Sequence, residues 1–110
     1  MNYMGIDHNK QYSHLTLLDE RGEVLKSGRV ANLRQYLEDF LYGFKEVKAV
    51  VEARGLSYAM VDVLDDMGIV TAVAHPKDVK AIARAKVKTD EGDSSKLAHL
   101  LRTGYIPEVY

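Results

Sequence analysis

Tyr3-Met4-Gly5-Ile6-Asp7 is the stretch that decides the fold. It is a short apolar run that ends in a carboxylate, the pattern of a buried strand. His14-Leu15-Thr16-Leu17-Leu18 reads as a second strand that begins near Gln11, and Glu23 to Val30 as a third. Asp19-Glu20-Arg21-Gly22 between them is a hairpin turn, with glycine where the left-handed conformation is needed. Three strands on short turns make an antiparallel meander.

The hydrophobic period then changes. Asn32 suits a helix N-cap, and Leu33, Leu37, Phe40, Leu41 and Phe44 follow at helical spacing. Val47 to Val51 is a fourth strand that runs into Glu52. Gly55 opens a second helix, with Met60, Val63, Leu64 and Met67 on one face and Gly68 at its end. Ile69 to Ala74 is a fifth strand. Lys77 to Arg84 reads as a short basic helix, and a last helix from Asp90 turns Leu97, Leu100 and Leu101 inward. Right-handed crossovers set the fourth and fifth strands parallel to the first. These connections predict an α/β fold with a mixed five-stranded sheet, order 3-2-1-4-5, flanked by helices. Asp7 and Glu52 then end adjacent parallel strands, at the edge where such sheets place their sites.

Composition sets bounds. The 110 residues make one domain, residues 1–110, and 46% apolar with 28% charged content is ordinary for a soluble protein. No apolar run approaches the ~18 residues of a membrane span, so no membrane association is expected. The absence of cysteine and of a secretory signal fits a cytoplasmic protein. The net charge of -1 does not advertise a nucleic-acid binder, but its distribution is uneven. Lys77, Lys80, Arg84, Lys86 and Lys88 fall within twelve residues that contain a single acid, Asp78. A nucleic-acid contact and a solvated face fit that stretch about equally.

Lys88-Thr89-Asp90-Glu91-Gly92-Asp93-Ser94-Ser95 places two aspartates one helical turn apart, ahead of an apolar run. Taken alone, the pair is an N-terminal cap. With Asp7 and Glu52 it makes four carboxylates that a packed helix brings to one edge. An oxygen-only set without histidine or cysteine suits Mg²⁺ or Mn²⁺. Two such ions, roughly 3.5–4 Å apart, serve phosphoryl transfer.

Gly5-Ile6-Asp7, Val51-Glu52-Ala53 and Lys88-Thr89-Asp90-x-x-Asp93 together resemble the DEDD transposases of bacterial and archaeal insertion sequences, relatives of the Piv DNA invertase. The resemblance extends over essentially the whole chain, including Ala74-His75-Pro76 and the Leu97-Ala98 helix. It implies a RuvC-like, RNase H-like catalytic domain whose acids are Asp7, Glu52, Asp90 and Asp93, holding two Mg²⁺ or Mn²⁺ ions. It implies DNA as the partner, guidance by an RNA encoded in the element, and a homo-oligomeric full-length enzyme. Lys77, Lys80, Arg84, Lys86 and Lys88 are the expected nucleic-acid contacts. Family members carry a second, serine-bearing domain absent from these 110 residues, so the chain is expected to be the N-terminal part of a longer transposase. Ser94 stands where the family has alanine. The alternatives are a Holliday-junction-resolvase-type nuclease, an inactive nucleic-acid-binding or assembly module, and a sugar-kinase-like or actin-like ATPase. The ATPase reading is disfavoured by the bulky turn His8-Asn9-Lys10-Gln11, where backbone amides would need to reach phosphate.

Overall fold

A computed structural model describes residues 1–52, 57–74 and 93–105, with the backbone alone for Ser57 and Asp93. Strands β1 (Asn2–His8), β2 (Tyr12–Leu18) and β3 (Val24–Ala31) form the meander. Helix α1 (Arg34–Leu41), β4 (Val47–Glu52), α2 (Ser57–Asp66), β5 (Val70–Ala74) and α3 (Asp93–Thr103) follow. The sheet order is β3-β2-β1-β4-β5, with β1 antiparallel to β2 and parallel to β4, as the crossover argument requires. The expected basic helix over 77–84 and the helix start at Asp90 lie outside the described residues.

Strand alternation divides the core in two. Met4, Ile6, Leu15, Leu17, Ala49, Val51 and Val73 point to one face and pack with Leu37, Phe40, Met60 and Leu64 of α1 and α2. Val50, Ala72 and Ala74 point to the other and pack with Leu97, Leu100 and Leu101 of α3. Tyr3, Gly5 and Asp7 share this second face. The central strand therefore has two buried sides, which explains its nearly continuous apolar run.

Asn32 does not cap α1. The N-cap is Leu33, 55% exposed and without a side-chain cap hydrogen bond. Asn32 instead accepts from Ser13 Oγ at 2.6 Å and donates through Nδ2 to the Asn9 carbonyl, also at 2.6 Å. It ties the end of β3 to the β1–β2 hairpin, which offers a buried partner that a helix start in water lacks. The β2–β3 turn forms as expected: the Asp19 carboxylate accepts from the Arg21 and Glu23 amides, and Gly22 has φ +86°.

Candidate active site

Asp7 and Glu52 are brought together by sheet register. Ile6 lies beside Val51 in the β1–β4 pairing, so the next step along both strands sets Asp7 beside Glu52. On the other flank Asp7 pairs with His14, and His14 with Arg29. Glu52 pairs with Ala74. One row therefore crosses the sheet in the order Ala74, Glu52, Asp7, His14, Arg29, on the face that carries α3. Neighbouring strands lie ~4.8 Å apart, so the two carboxylates share a single site. Glu52 is buried and Asp7 half-buried.

Helix α3 reaches this row because β1 has a glycine. A Cβ on Gly5 would overlap the Ser94 carbonyl oxygen and come within 2.6 Å of the Ala98 amide nitrogen. The helix backbone rests directly on the strand there. Ser94 Oγ is hydrogen-bonded to His14 Nδ1 at 2.8 Å and to Thr16 Oγ1 at 2.8 Å, and Thr16 Oγ1 lies 3.3 Å from Ser27 Oγ. At the other end of α3, the Arg102 guanidinium packs on Gly22 of the β2–β3 turn and its Nη1 lies 3.4 Å from the Glu20 carbonyl. The helix thus enters at the carboxyl edge of β1 and leaves toward the opposite edge. Asp93 is its first residue, immediately before the hydrogen-bonded Ser94.

Of the expected acids, Asp7 and Glu52 stand side by side, Asp93 occupies the α3 start by its backbone, and Asp90 lies outside the described residues. Among the described residues no cluster of three or more carboxylate or imidazole groups forms. The two neighbouring carboxylates are oxygen donors that fit a hard divalent cation, and the imidazole beside Asp7, that of His14, has its Nδ1 engaged by Ser94 Oγ. Lys77, Lys80, Arg84, Lys86 and Lys88 also lie outside the described residues. His8 faces away from Asp7 by alternation and contacts Ser13 Oγ at 2.9 Å, so it is not part of the site.

Sequence reading missed the His14–Ser94–Thr16 cluster, although pairing the β1 and β2 runs across a short turn sets His14 against Asp7. Away from the site, the Met1 ammonium donates to Glu20 at 2.7 Å, which holds the Glu20 carboxyl below its usual range and raises the ammonium. A cavity of about 480 Å³ lined by Leu41, Phe44, Met67 and Ile69 also opens at the edge opposite Asp7. Neither contributes to the carboxylate row. No helix among the described residues is long and apolar enough to cross a membrane.

Residues 4–109 match the model of the family DEDD_Tnp_IS110, described as transposase. The fold is similar to that of T. thermophilus RuvC, solved in complex with a Holliday junction substrate. The TM-score is 0.67 at 15% identity, over 99% of each chain. No curated protein sequence matches the chain.

Proposed function

The chain belongs to the DEDD_Tnp_IS110 transposase family, with an RNase H-like fold of the RuvC type, and on that premise we propose that it carries out the DNA strand chemistry of transposition in a metal-dependent way. The single observation that carries this reading is the Asp7–Glu52 adjacency, on the face that carries α3, the helix that begins with Asp93. In this reading Asp7, Glu52, Asp90 and Asp93 are the ligands of Mg²⁺ or Mn²⁺, two ions in the complete site. When bound, such ions stabilise the charge that develops on the attacking and leaving oxygens. The chain's own residues do the rest. Asp7, central and half-buried, has a neighbouring strand on each side to fix it. Glu52, buried at the end of β4, stands beside Asp7 at the same sheet edge. The His14–Ser94–Thr16 hydrogen bonds hold the start of α3 against the sheet. Lys77, Lys80, Arg84, Lys86 and Lys88 supply cations for the phosphate backbone.

The substrate in this reading is DNA and the place of action the cytoplasm. The 110 residues serve as the catalytic domain of a longer, homo-oligomeric transposase, with a serine-bearing partner domain and guidance by an element-encoded RNA. A second reading, hydrolysis of branched DNA without strand transfer, draws on the likeness to RuvC. The test is cleavage of element-end and four-way-junction DNA in Mg²⁺ or Mn²⁺, with Asp7→Asn and Glu52→Gln beside the parent. Each substitution is expected to lower cleavage by about 100-fold or more, the scale of losing a group that stabilises transition-state charge. Rejoined products mark the transposase, and nicked junctions alone mark the resolvase-type nuclease. Parental cleavage by Asp7→Asn would overturn the proposal.

A further inference from the structure

We propose that Lys10, Tyr12 and Arg29 form a subsite for an unpaired DNA strand, beside the carboxylate row. The inference rests on the DNA-processing reading of Asp7 and Glu52 and deepens it. The Arg29 guanidinium carbon lies 4.2 Å from the centroid of the Tyr12 ring. Both side chains, and that of Lys10 at the β1–β2 hairpin tip, are exposed.

Their charge is open to a partner. Arg34 is paired with Glu38 at 2.6 Å and the Met1 ammonium with Glu20 at 2.7 Å. Among the described residues no ion pair engages Lys10 or Arg29. The pair is also placed where a substrate strand would run. Tyr12, His14 and Arg29 lie on the same sheet face as Asp7, and α3 leaves the outer strand uncovered there: Ser27 and Arg29 of β3 are exposed.

The chemistry selects the occupant. Guanidinium and ammonium groups bind phosphates, and an aromatic or guanidinium plane stacks an unpaired base. A paired base keeps its faces inside the duplex stack, so the aromatic part of the subsite acts only on a splayed strand. Two strand spacings separate Asp7 from Arg29, about 10 Å. An unpaired strand spans that distance in a few nucleotides, so the subsite holds the chain close to the phosphate acted on.

The experiment measures binding without cleavage, in EDTA, by anisotropy of labelled single-stranded and duplex oligonucleotides over a salt series. Arg29→Gln and Tyr12→Leu are compared with Tyr12→Phe and with the parent. Tyr12→Leu is expected to weaken single-strand binding about fivefold or more, while Tyr12→Phe holds it near the parental level. Arg29→Gln is expected to weaken binding and to make the logarithmic salt dependence shallower by about 0.7. Duplex binding should respond to Arg29→Gln and ignore Tyr12→Leu. Among 2-aminopurines placed one to three nucleotides from the scissile phosphate, at least one should be quenched by the parent and not by Tyr12→Leu. Unmelted circular dichroism spectra show that the variants fold. Parental single-strand affinity in both Arg29→Gln and Tyr12→Leu, with Asp7→Asn still blocking cleavage, would overturn the subsite and leave the proposed function standing. Equal competition by polyglutamate would overturn the nucleic-acid identity of the ligand. Failure of the parent to bind any oligonucleotide would overturn both.

Discussion

Ser94 Oγ lies 2.8 Å from Nδ1 of His14, across 80 residues of chain. His14 is in turn the cross-strand neighbour of Asp7, and Ser94 directly follows Asp93. A hydrogen bond between side chains with no acidic function thus joins β2, the strand beside the one that carries Asp7, to the helix that begins with Asp93. The buried Thr16 hydroxyl completes the cluster. The Ser94 hydroxyl makes two hydrogen bonds there, and as a buried polar atom it must stay satisfied.

Breaking that cluster should be measurable and modest. Ser94→Ala removes both bonds but leaves Thr16 with Ser27 and leaves His14 half-exposed to water. A loss of about 1 kcal/mol in urea denaturation is expected, and a similar loss for Thr16→Val. The double variant should fall short of the sum by roughly 0.5 kcal/mol or more, because one interaction is counted in both single changes. Strict additivity would mean that the two hydroxyls do not cooperate in holding α3.

Two glycines of the same sheet should respond to alanine with opposite signs. At Gly5 the new methyl group meets helix backbone, which cannot swing aside as a side chain can. Gly5→Ala should cost about 1–3 kcal/mol or more and push α3 off β1. At Gly28 the nearest atom is Phe40 Cε2 at 4.0 Å, an ordinary contact. Gly28→Ala should be neutral or stabilise by up to about 1 kcal/mol, through lower unfolded-chain entropy. Chemical denaturation of the two variants checks this. Equal effects would show that α3 does not depend on close approach at Gly5.

The contrast explains how much of this molecule was legible in its sequence. Strand order, strand direction and the Asp7–Glu52 adjacency follow from run lengths, turn chemistry and the handedness of crossovers, all local or nearly local signals. Asn32 departs from the expected cap because two donors, a helix amide and the Ser13 hydroxyl, compete for its Oδ1, and only the folded chain decides between them. Leu33 keeps the helical period yet stands exposed, since it precedes the first turn. Gly5 shows no local sign of its role: the residue it accommodates is 89 positions away. His14 and Ser94 are ordinary residues until a register and a helix packing choice bring them together.

A divalent cation that binds only the folded carboxylate site should raise stability by mass action. At 100 times the dissociation constant the gain is about 2.7 kcal/mol, or a midpoint rise of ~10 °C for a domain of this size. Scans in Mg²⁺, Mn²⁺ and EDTA measure it. Asp7→Asn should abolish the rise, whereas Glu38→Gln on α1, paired with Arg34 away from the row, should keep it. A rise that persists in Asp7→Asn would place the cation elsewhere.

Cleavage and binding should separate by residue type. If the acids act at the reacting phosphate as proposed, Asp7→Ala, Glu52→Ala, Asp90→Ala and Asp93→Ala should each lower cleavage while DNA affinity stays near the parental value. Neutralising Lys77, Lys80 and Arg84 together should do the reverse. Each lost phosphate contact makes the logarithmic salt dependence of binding shallower by about 1, so the triple variant should lose about 3. Its cleavage at saturating DNA should survive, because the carboxylates are intact. Among the acids, Asp7 should be the least replaceable. It sits on the central strand between Glu52 and His14, and no neighbouring side chain can move into its place without breaking the sheet register. Asp93 should be the most forgiving, since it is the first residue of its helix and has no paired strand on either side to fix it. Cleavage rates and a binding salt series on the same five variants test the division. Loss of binding in step with cleavage across the acid variants would mean that the carboxylates hold the fold rather than the reacting phosphate.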